Sequence, residues 1–493
     1  MRAPVPFDNS YARLPEHFYA RVQPTPVSRP ELVRFNRSLA AQLGLDADVM
    51  SSSPWADAFA GNYVPEGAEP LAMAYAGHQF GHWVPQLGDG RAILLGEWVG
   101  SDGIRRDLHL KGAGPTPFSR GGDGRAVLGP VMREYIVAEA MAALGIPTTR
   151  ALAMALTGDE VFRETPQPGA VLTRLARSHV RVGTFEYFHH NGHPDAVKRL
   201  ADYVIDRNYP EAAEADNPYL TLLASVCERT ADLVASWMMV GFIHGVMNTD
   251  NLSVAGETID YGPCAFMDAF HPRTVFSSID TRGRYAYDQQ ARIGHWNLAQ
   301  LAGALLRLLG EREDHAMAAA QTALDGYAQR FDSAYRAGLR RKLGLASAED
   351  GDLDLAKALL QAMANSGADF TLTFRRLSAL GDKASARDEP VRSLFKDPTA
   401  FDTWAKQWRA RLSREGQSEA SRQAAMRAAN PAYIPRNHRI QQAIDAATEA
   451  RDFKPMDELM TVLTNPYEDH PNLAHYADPP APDEAVTTTF CGT

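Results

Sequence analysis

The first part of the chain combines apolar runs typical of strands with one segment of helical spacing. An Asp102-Gly103 turn separates an apolar run from alternating residues that end at Lys111, which predicts a β-hairpin. The next apolar positions recur at helical spacing, with Pro130 at the start and Gly145 as a stop signal. The predicted elements are strands at 91–99 and 105–111, a helix at 130–145, and strands at 150–157 and 169–175.

After about residue 180 the hydrophobic pattern changes to the period of amphipathic helices. The predicted helices span 194–208, 217–243, 295–310, 314–342, 353–365 and 437–450. The last residues, from 478 onward, combine prolines with small polar side chains and predict a mobile tail. The sequence therefore predicts an α+β protein with a smaller strand-rich lobe followed by a larger helical lobe.

Composition and charge restrict the possible functions. With 493 residues, 45% of them hydrophobic and 22% charged, the chain can form two or three packed units of an ordinary globular protein. The formal net charge of -10 argues against nucleic-acid binding, which needs a concentrated basic face. The longest strongly apolar run, 233–243, is too short to span a bilayer, and the N-terminus lacks a signal-peptide pattern. Since three cysteines are also too few for a disulfide framework, we expect a cytoplasmic protein that binds neither nucleic acid nor membrane.

Two features of the strand-rich part indicate a nucleotide site. Gly88, Gly90 and Arg91 precede a strand, where backbone N–H groups and a guanidinium can approach an anion, although an ordinary turn also explains the pattern. Lys111, at the end of the second strand, and Glu134, on the following helix, repeat the kinase pair that brings an ammonium to the phosphates. A surface lysine and a solvated glutamate are the alternative. Their order after the Gly-rich turn favours the pair.

A basic group, Arg174, Arg177 and Arg181, lies where the strand-rich lobe passes into the helical lobe. Guanidinium groups stay charged and match phosphate geometry, so three of them beside a cleft can hold a polyphosphate. A solvated basic face is the alternative.

The stretch at 244–262 is similar to the phosphoryl-transfer centre of a kinase that lacks its base. Kinases commonly have His-x-Asp here, with Asn five residues after the Asp and then Asp-x-Gly. In this chain Val246 stands at the base position, while Asn251 and Asp260 offer hard oxygen ligands suited to Mg²⁺. Asp250 is the nearby candidate for the base.

Several blocks of the sequence resemble the selenoprotein O family, a group of atypical kinase-fold proteins that transfer AMP to protein hydroxyls. The blocks are 75–92, 111–128, 244–251, 259–263, 283–302 and 430–438. The resemblance covers most of the chain and implies a bilobal protein-kinase-like fold. It also implies ATP-dependent AMP transfer to Ser, Thr or Tyr hydroxyls of proteins, with release of pyrophosphate. The nucleotide would bind in the reverse orientation to that in a kinase, so that the α-phosphorus faces the acceptor.

The resemblance implies roles residue by residue. The nucleotide-binding residues would be Gly88, Gly90, Arg91, Lys111, Asp123, Gly124, Arg174, Arg181 and Asp260. Arg174 and Arg181 would hold the distal phosphates. Asn251 and Asp260 would bind Mg²⁺, with Mn²⁺ as an alternative metal and UTP as an alternative nucleotide. Asp250 would accept the hydroxyl proton, and Lys111 and Glu134 would complete the catalytic group.

The resemblance also divides the chain into segments. These are an N-terminal extension packed on the N-lobe at 1–74, the N-lobe with the nucleotide-binding loop at 75–178, the helical C-lobe with the catalytic and metal loop at 179–477, and the tail at 478–493. Cys491 in the tail matches a C-terminal cysteine or selenocysteine of the family and is predicted to be redox-active. Cys264 is its more suggestive partner, since Cys227 lies in an apolar helical run. We expect a monomer.

Two other functions remain open from the residues. A conventional small-molecule or protein kinase would use the same Lys, Glu, Asn and Asp with the usual nucleotide orientation. A catalytically dead nucleotide-binding scaffold would explain Val246 as a loss of function. Only the destination of the α-phosphate and γ-phosphate separates these alternatives from AMP transfer.

Overall fold

A computed structural model describes residues 6–490, and within this range eight strands form one sheet. The strands of the described chain are β1 (Tyr19–Arg21), β2 (Glu31–Phe35), β3 (Leu71–Met73), β4 (Gly77–Gln79), β5 (His82–Val84), β6 (Ala92–Val99), β7 (Arg105–Lys111), β8 (Ala126–Val127), β9 (Arg150–Phe162), β10 (Pro166–Ala176), β11 (Phe242–Ile243) and β12 (Ala265–Phe266). The large sheet is antiparallel in the order β1-β3-β6-β7-β10-β9-β2, with β8 added to β10. Two small sheets pair β4 with β5 and β11 with β12.

The predicted strands are confirmed in the large sheet. β6 and β7 pair across the Asp102-Gly103 turn, where Gly103 has a φ of 74° that glycine adopts without strain. β9 and β10 are longer than predicted, because their ends pair with each other as a ribbon beyond the rest of the sheet, from Phe162 opposite Pro166 inward.

The first 74 residues were predicted to pack on the strand-rich lobe, but the described part of them also belongs to its sheet. β1 pairs with β3, and β2 pairs with β9, so this segment supplies both edge strands. The strands are only three to five residues long, which is too short for a readable alternation. Between them lie three short helices, α1 (Arg37–Gln42), α2 (Ala47–Met50) and α3 (Ser53–Ala60).

Helix α4 (Leu128–Ala143) covers one face of the sheet and α3 the other. Ala170 and Leu172 of β10 pack in the cluster with α4, while Val171 and Leu175 pack with α3, as the alternation of a strand requires. The helix predicted at 130–145 is thus confirmed, beginning two residues early, with Pro130 in its first turn.

Beyond residue 181 the described chain is mostly helical. Its helices are α5 (Val182–His190), α6 (Pro194–Asn208), α7 (Pro218–Met239), α8 (Gln290–Leu309), α9 (Glu313–Leu343), α10 (Asp352–Ser366), α11 (Phe370–Leu377), α12 (Glu389–Arg392), α13 (Pro398–Leu412), α14 (Glu419–Ala429), α15 (Asn437–Ala450) and α16 (Lys454–Leu463). The six predicted helices are present, but the helix expected at 217–243 ends at Met239, because Phe242 and Ile243 pair with β12. A mixed architecture of a strand-rich part and a larger helical part is therefore confirmed. Every helix within residues 6–490 lacks the length or the apolar character needed to cross a bilayer.

The C-terminal segment was predicted to be a mobile tail, but its described part is hydrogen-bonded to the rest of the protein. The Thr489 N–H donates to Phe276 O at 2.7 Å, and its Oγ1 donates to Pro263 O at 2.5 Å. The Ser278 N–H in turn donates to Thr489 O at 3.0 Å. These bonds hold the chain at Thr489, and the mobility of the tail as a whole stays a prediction.

Candidate active site

Residues far apart in sequence meet at the end of β7, where the sheet contacts the helical part. β7 and β10 are antiparallel, with His109 opposite Arg174 and Lys111 opposite Leu172. Opposite residues of an antiparallel pair share a face, and Leu172 lies on the face covered by α4. Lys111 and Arg174 therefore both face α4, which carries Glu134.

Lys111 and Glu134 form the pair that the sequence predicts. The Lys111 ammonium donates to Glu134 Oε2, and both side chains are buried. Burial, which outweighs the neighbouring carboxylates, lowers the pKa of Lys111. Burial alone would raise the pKa of Glu134, but the charges of Lys111 and Arg174 lower it below its ordinary value. Glu134 is thus a charged partner that binds two cations, since Arg174 Nη1 also donates to its Oε1 at 3.1 Å.

Asp260 is the carboxylate on which the cations converge. Arg181 Nη1 donates to its Oδ2 at 2.7 Å, Arg174 Nη1 donates to its Oδ1 at 3.2 Å, and Lys111 Nζ lies 3.9 Å from Oδ1. Burial opposes ionisation, but these three charges hold the pKa of Asp260 well below its ordinary value. Its φ of 57° lies in the left-handed region, which is uncommon for a residue with a side chain and is found disproportionately at functional sites.

Arg181 connects the two acidic residues of the loop. The same Nη1 group that binds Asp260 also donates to the backbone oxygen of Asp250 at 2.7 Å. The guanidinium stacks on the ring of Tyr75, with Cζ 4.4 Å from the centroid. Arg181 is 2% exposed, so its position is set by packing as well as by charge.

Asp250 is buried beneath the hairpin of β4 and β5. Gln79 Nε2 donates to Asp250 Oδ2 at 3.4 Å, and a side chain at Gly77 would lie within 2.5 Å of Oδ1. Asp250 Oδ1 itself is buried and has no hydrogen-bond partner among the described residues. Burial raises the pKa of Asp250 to about 6, although the charge of Arg181 opposes this rise. The result is a desolvated carboxylate with one oxygen not engaged by the protein.

Asn251 is fixed by the residue that replaces the kinase base. Its Nδ2 donates to the backbone oxygen of Val246 at 3.0 Å, so its amide oxygen is left for another group. The Val246 side chain is 5% exposed and apolar. His244 Nε2 lies 2.9 Å from Ile259 O, and burial lowers the pKa of His244, so this histidine is a neutral structural residue.

The predicted metal ligands have the donor atoms that Mg²⁺ or Mn²⁺ prefers. Within residues 6–490 no three His, Cys, Asp or Glu side chains cluster as a ready-made metal site. Asn251 and Asp260 instead offer one amide oxygen and one ionised carboxylate, which suits a metal that also takes phosphate and water oxygens. The residues present therefore fit a nucleotide-bound divalent ion.

The Gly-rich turn lies against a neighbouring loop. A side chain at Gly88 or Gly90 would meet Phe118 within 3 Å, so close packing alone requires glycine at both positions. Arg91 lies close enough to Lys111 for its charge to lower the pKa of that lysine. The turn thus brings Arg91 toward Lys111. Close packing explains why both positions are glycine, which the sequence alone did not show.

Asp123 and Gly124 occupy the loop before β8. Asp123 accepts two hydrogen bonds from Arg163, at 2.7 and 3.1 Å, and is exposed. A side chain at Gly124 would collide with the backbone of Gly114. No contact of Asp123 with the Asp260 cluster is present in the described chain, so its assignment to the nucleotide pocket stays a prediction.

Arg177 does not join the other two arginines. Its side chain is exposed beside a separate cavity of about 340 Å³ that also contains Arg229 and Glu257. Arg177 follows Ala176, the last residue of β10, and its backbone N–H donates to Glu257 Oε2 at 2.8 Å, which holds it beside that cavity. The three-arginine group expected from the sequence is therefore a pair.

The sequence interpretation missed polar residues that support this cluster. Asp89, His109, Tyr75 and Gln79 contact Arg181, Arg174 or Asp250. His109 had a readable signal, because a position two residues before Lys111 on the same strand shares its face. The other three lie in turns and short strands, where spacing carries no such information.

The described residues test the predictions about the cysteines only in part. Cys227 is buried in the apolar helix α7, as expected, and Cys264 is also buried. Cys491 lies outside the described residues. The last described residues run beside Pro263, the neighbour of Cys264. The redox role of Cys491 therefore stays a prediction.

A buried Lys–Glu pair and two arginines around one aspartate are the features expected of a protein that binds nucleotide phosphates. The family model described as protein adenylyltransferase SelO matches residues 2–464. A protein nucleotidyltransferase YdiU from Bradyrhizobium sp. (strain ORS 278) is 61% identical over 489 residues, which cover 99% of each chain. Another from Rhodopseudomonas palustris (strain ATCC BAA-98 / CGA009) is 61% identical over 493 residues and all of both chains. The chain therefore belongs to the SelO family of protein adenylyltransferases.

Proposed function

We propose that this protein is an ATP-dependent protein adenylyltransferase with a bilobal, protein-kinase-like fold. The strand-rich lobe and the helical lobe would enclose the nucleotide between β7, α4 and the loop from 244 to 262. The acceptors would be Ser, Thr or Tyr hydroxyls of other proteins. We also expect a monomer, and the short apolar runs and few cysteines of the sequence favour action in the cytoplasm. Membership of the SelO family supports the reaction class.

The cations of the cluster would bind the phosphates. Lys111, Arg174 and Arg181 lie within 3.9 Å of Asp260. Guanidinium forks match phosphate oxygens, and buried charges act more strongly than exposed ones. Arg174 and Arg181 would hold the distal phosphates, with Lys111 and Arg91 nearer the α-phosphate. Asn251 and Asp260 would hold the divalent ion, which when bound neutralises phosphate charge.

The proposed step transfers AMP from ATP to an acceptor hydroxyl. The hydroxyl gives its proton to Asp250 Oδ1, and its oxygen forms a bond to the α-phosphorus. The bond between the α-phosphorus and the bridging oxygen to the β-phosphorus breaks, and pyrophosphate leaves with that electron pair. Arg174 and Arg181 stabilise the charge that develops on pyrophosphate. Atoms and charge balance without a further co-reactant.

One observation carries this proposal. Val246 makes the usual base position apolar, and the buried Asp250 four residues later has one oxygen without a hydrogen-bond partner within residues 6–490. Arg181 binds both Asp250 and Asp260, and Arg174 binds Asp260, so the two guanidinium groups lie beside this carboxylate pair, where they would stabilise a leaving pyrophosphate.

ATP labelled at either the α- or the γ-phosphate tests the proposal. We expect α-label to enter protein, with a matching release of pyrophosphate, in the presence of Mg²⁺ or Mn²⁺. Asp250→Asn should remove this transfer but keep nucleotide binding, because the amide cannot accept the proton. Transfer of γ-label alone would establish a kinase, and nucleotide binding without any transfer would establish a scaffold. UTP labelled at the α-phosphate, with Mn²⁺, measures nucleotide preference.

A further inference from the structure

A buried histidine lies directly behind Arg174. His109 is fully buried on β7, and its Nδ1 accepts a hydrogen bond from Arg174 Nε at 3.0 Å. On the other side of the ring, Nε2 lies 3.2 Å from Asp89 Oδ2. His109 therefore connects an arginine of the cluster to the Gly88-Asp89-Gly90 turn.

These two bonds select one form of the imidazole. An arginine Nε–H can only donate, so Nδ1 must carry a lone pair, and the carboxylate of Asp89 requires a proton on Nε2. Only the neutral Nε2–H tautomer satisfies both partners. Burial, together with the neighbouring His179 and Arg174, lowers the pKa of His109 to about 3, which agrees with a neutral ring.

The imidazole ring of His109 is also held by a stacking contact on its face. His179 stacks on it, with centroids 4.3 Å apart and planes at 25°. His179 is itself held by Asp107, which lies 2.9 Å from its Nδ1. With two edge bonds and one stacked neighbour, His109 cannot rotate without breaking contacts that the interior does not replace.

The contacts of His109 close a ring of five residues. Asp89 Oδ1 lies 3.9 Å from Arg181 Nη2, and Arg181 and Arg174 both bind Asp260. Arg174 uses Nε for His109 and Nη1 for Glu134 and Asp260, and no hydrogen bond of its Nη2 is present among residues 6–490. The bond from Nε to His109, together with those of Nη1, therefore fixes the direction of Nη2.

We propose that His109 is a positioning residue that aims Arg174 at the distal phosphates of ATP. A neutral imidazole suits this place, because it orients the guanidinium without cancelling the charge that phosphate must meet. A carboxylate would neutralise Arg174, and an apolar side chain would leave Nε unpaired. The proposal rests on the proposed function for the phosphate that Arg174 contacts.

The test compares the dissociation constants of ATP, pyrophosphate and AMP, measured by calorimetry with Mg²⁺ on the full chain. His109→Leu should weaken ATP and pyrophosphate by about 10- to 100-fold, the effect of losing a hydrogen bond to a charged group, and AMP by less than about twofold. His109→Gln, whose amide can accept from Arg174 and donate to Asp89, should restore most of the ATP affinity. In an Arg174→Ala background, His109→Leu should have no further effect on ATP binding.

Equal weakening of ATP and AMP by His109→Leu, or unchanged ATP binding, would overturn the proposal, since a residue that only packs the core does not distinguish the two nucleotides. If His109→Leu does not fold, His109→Asn takes its place, because its shorter amide cannot reach both partners and should weaken ATP selectively. These outcomes are binding constants, so they are independent of which labelled phosphate the unmodified protein transfers. Transfer of γ-label would reject the proposed adenylyltransferase reaction. The binding constants would still show whether His109 positions Arg174.

Discussion

Replacing Lys342 with methionine should stabilise the protein near neutral pH. Lys342 on α9 is 2% exposed, and its ammonium lies 4.2 and 5.2 Å from the ring centroids of Phe374 and Phe370. Burial lowers its pKa from the ordinary 10.5 to about 7. The folded protein must therefore either bury this charge or release a proton that the unfolded chain keeps.

The size of the effect follows from the pKa. At about 1.4 kcal/mol per pKa unit, the fall corresponds to about 4–5 kcal/mol below pH 7. The contacts of the ammonium with the two rings favour the charged form, so this figure is an upper value. Between pH 7 and pH 10.5 the unfolded chain binds more protons than the folded protein, so this cost disappears as pH rises. Lys342→Met, which keeps the length of the side chain without its charge, should remove the cost.

Urea unfolding followed by tryptophan fluorescence checks this result. The Lys342→Met variant should exceed the unmodified protein in free energy of unfolding at pH 6.5, with a smaller difference at pH 9.5. Lys357→Met, at an exposed lysine of α10, is the matched control and should show no such pH-dependent gain. A destabilised Lys342→Met variant, or the same difference at both pH values, would refute the reasoning.

Three further predictions concern the candidate site and the tail. Lys111→Ala and Asp260→Ala should each lower the rate of α-label transfer by about two to three orders of magnitude, because each removes charge that acts on the reacting phosphates. Near-normal activity of Asp260→Ala with an unchanged metal requirement would contradict the metal assignment. Val246→Asp should not produce efficient γ-label transfer, because the arginines set the orientation of the nucleotide. Rapid transfer of γ-label by this variant would contradict that role of the arginines. The activity of the unmodified protein should respond to reductant, whereas that of Cys491→Ser should not. Peptide mapping of the oxidised protein should show a disulfide between Cys491 and Cys264. An equal response of both proteins to reductant would exclude the redox role.

The sequence predicted the parts of the fold that depend on periodicity. The hairpin before Lys111 and the long helices carry their own hydrophobic pattern, so they could be identified without knowing their neighbours. The short strands β1 to β3 could not, since their pairing partners lie elsewhere in the chain. The contacts of Thr489 could not be predicted for the same reason, because they depend on where residues 263 to 278 lie.

The candidate site likewise combines features that the sequence predicted with features that only the structure shows. The pairing of Lys111 with Glu134 followed from order and spacing, and Asp260 and Asn251 from a short motif. The separation of Arg177 from Arg174 required the end of β10 to be known. The strand pattern placed His109 on the same face as Lys111, but its bond to Arg174 required the register of two strands, which no single sequence reports.

The two edge strands of the sheet impose an order on synthesis. β1 and β2 are among the first residues made, but Glu31 of β2 pairs with Leu156, about 125 residues later in the chain. At about 5–20 residues per second, the nascent strand waits about 6–25 s for its partner to leave the ribosome. During that interval its backbone groups are available to other chains or to chaperones. A tag or truncation at the N-terminus would therefore act first on folding yield, before any effect on the completed active site.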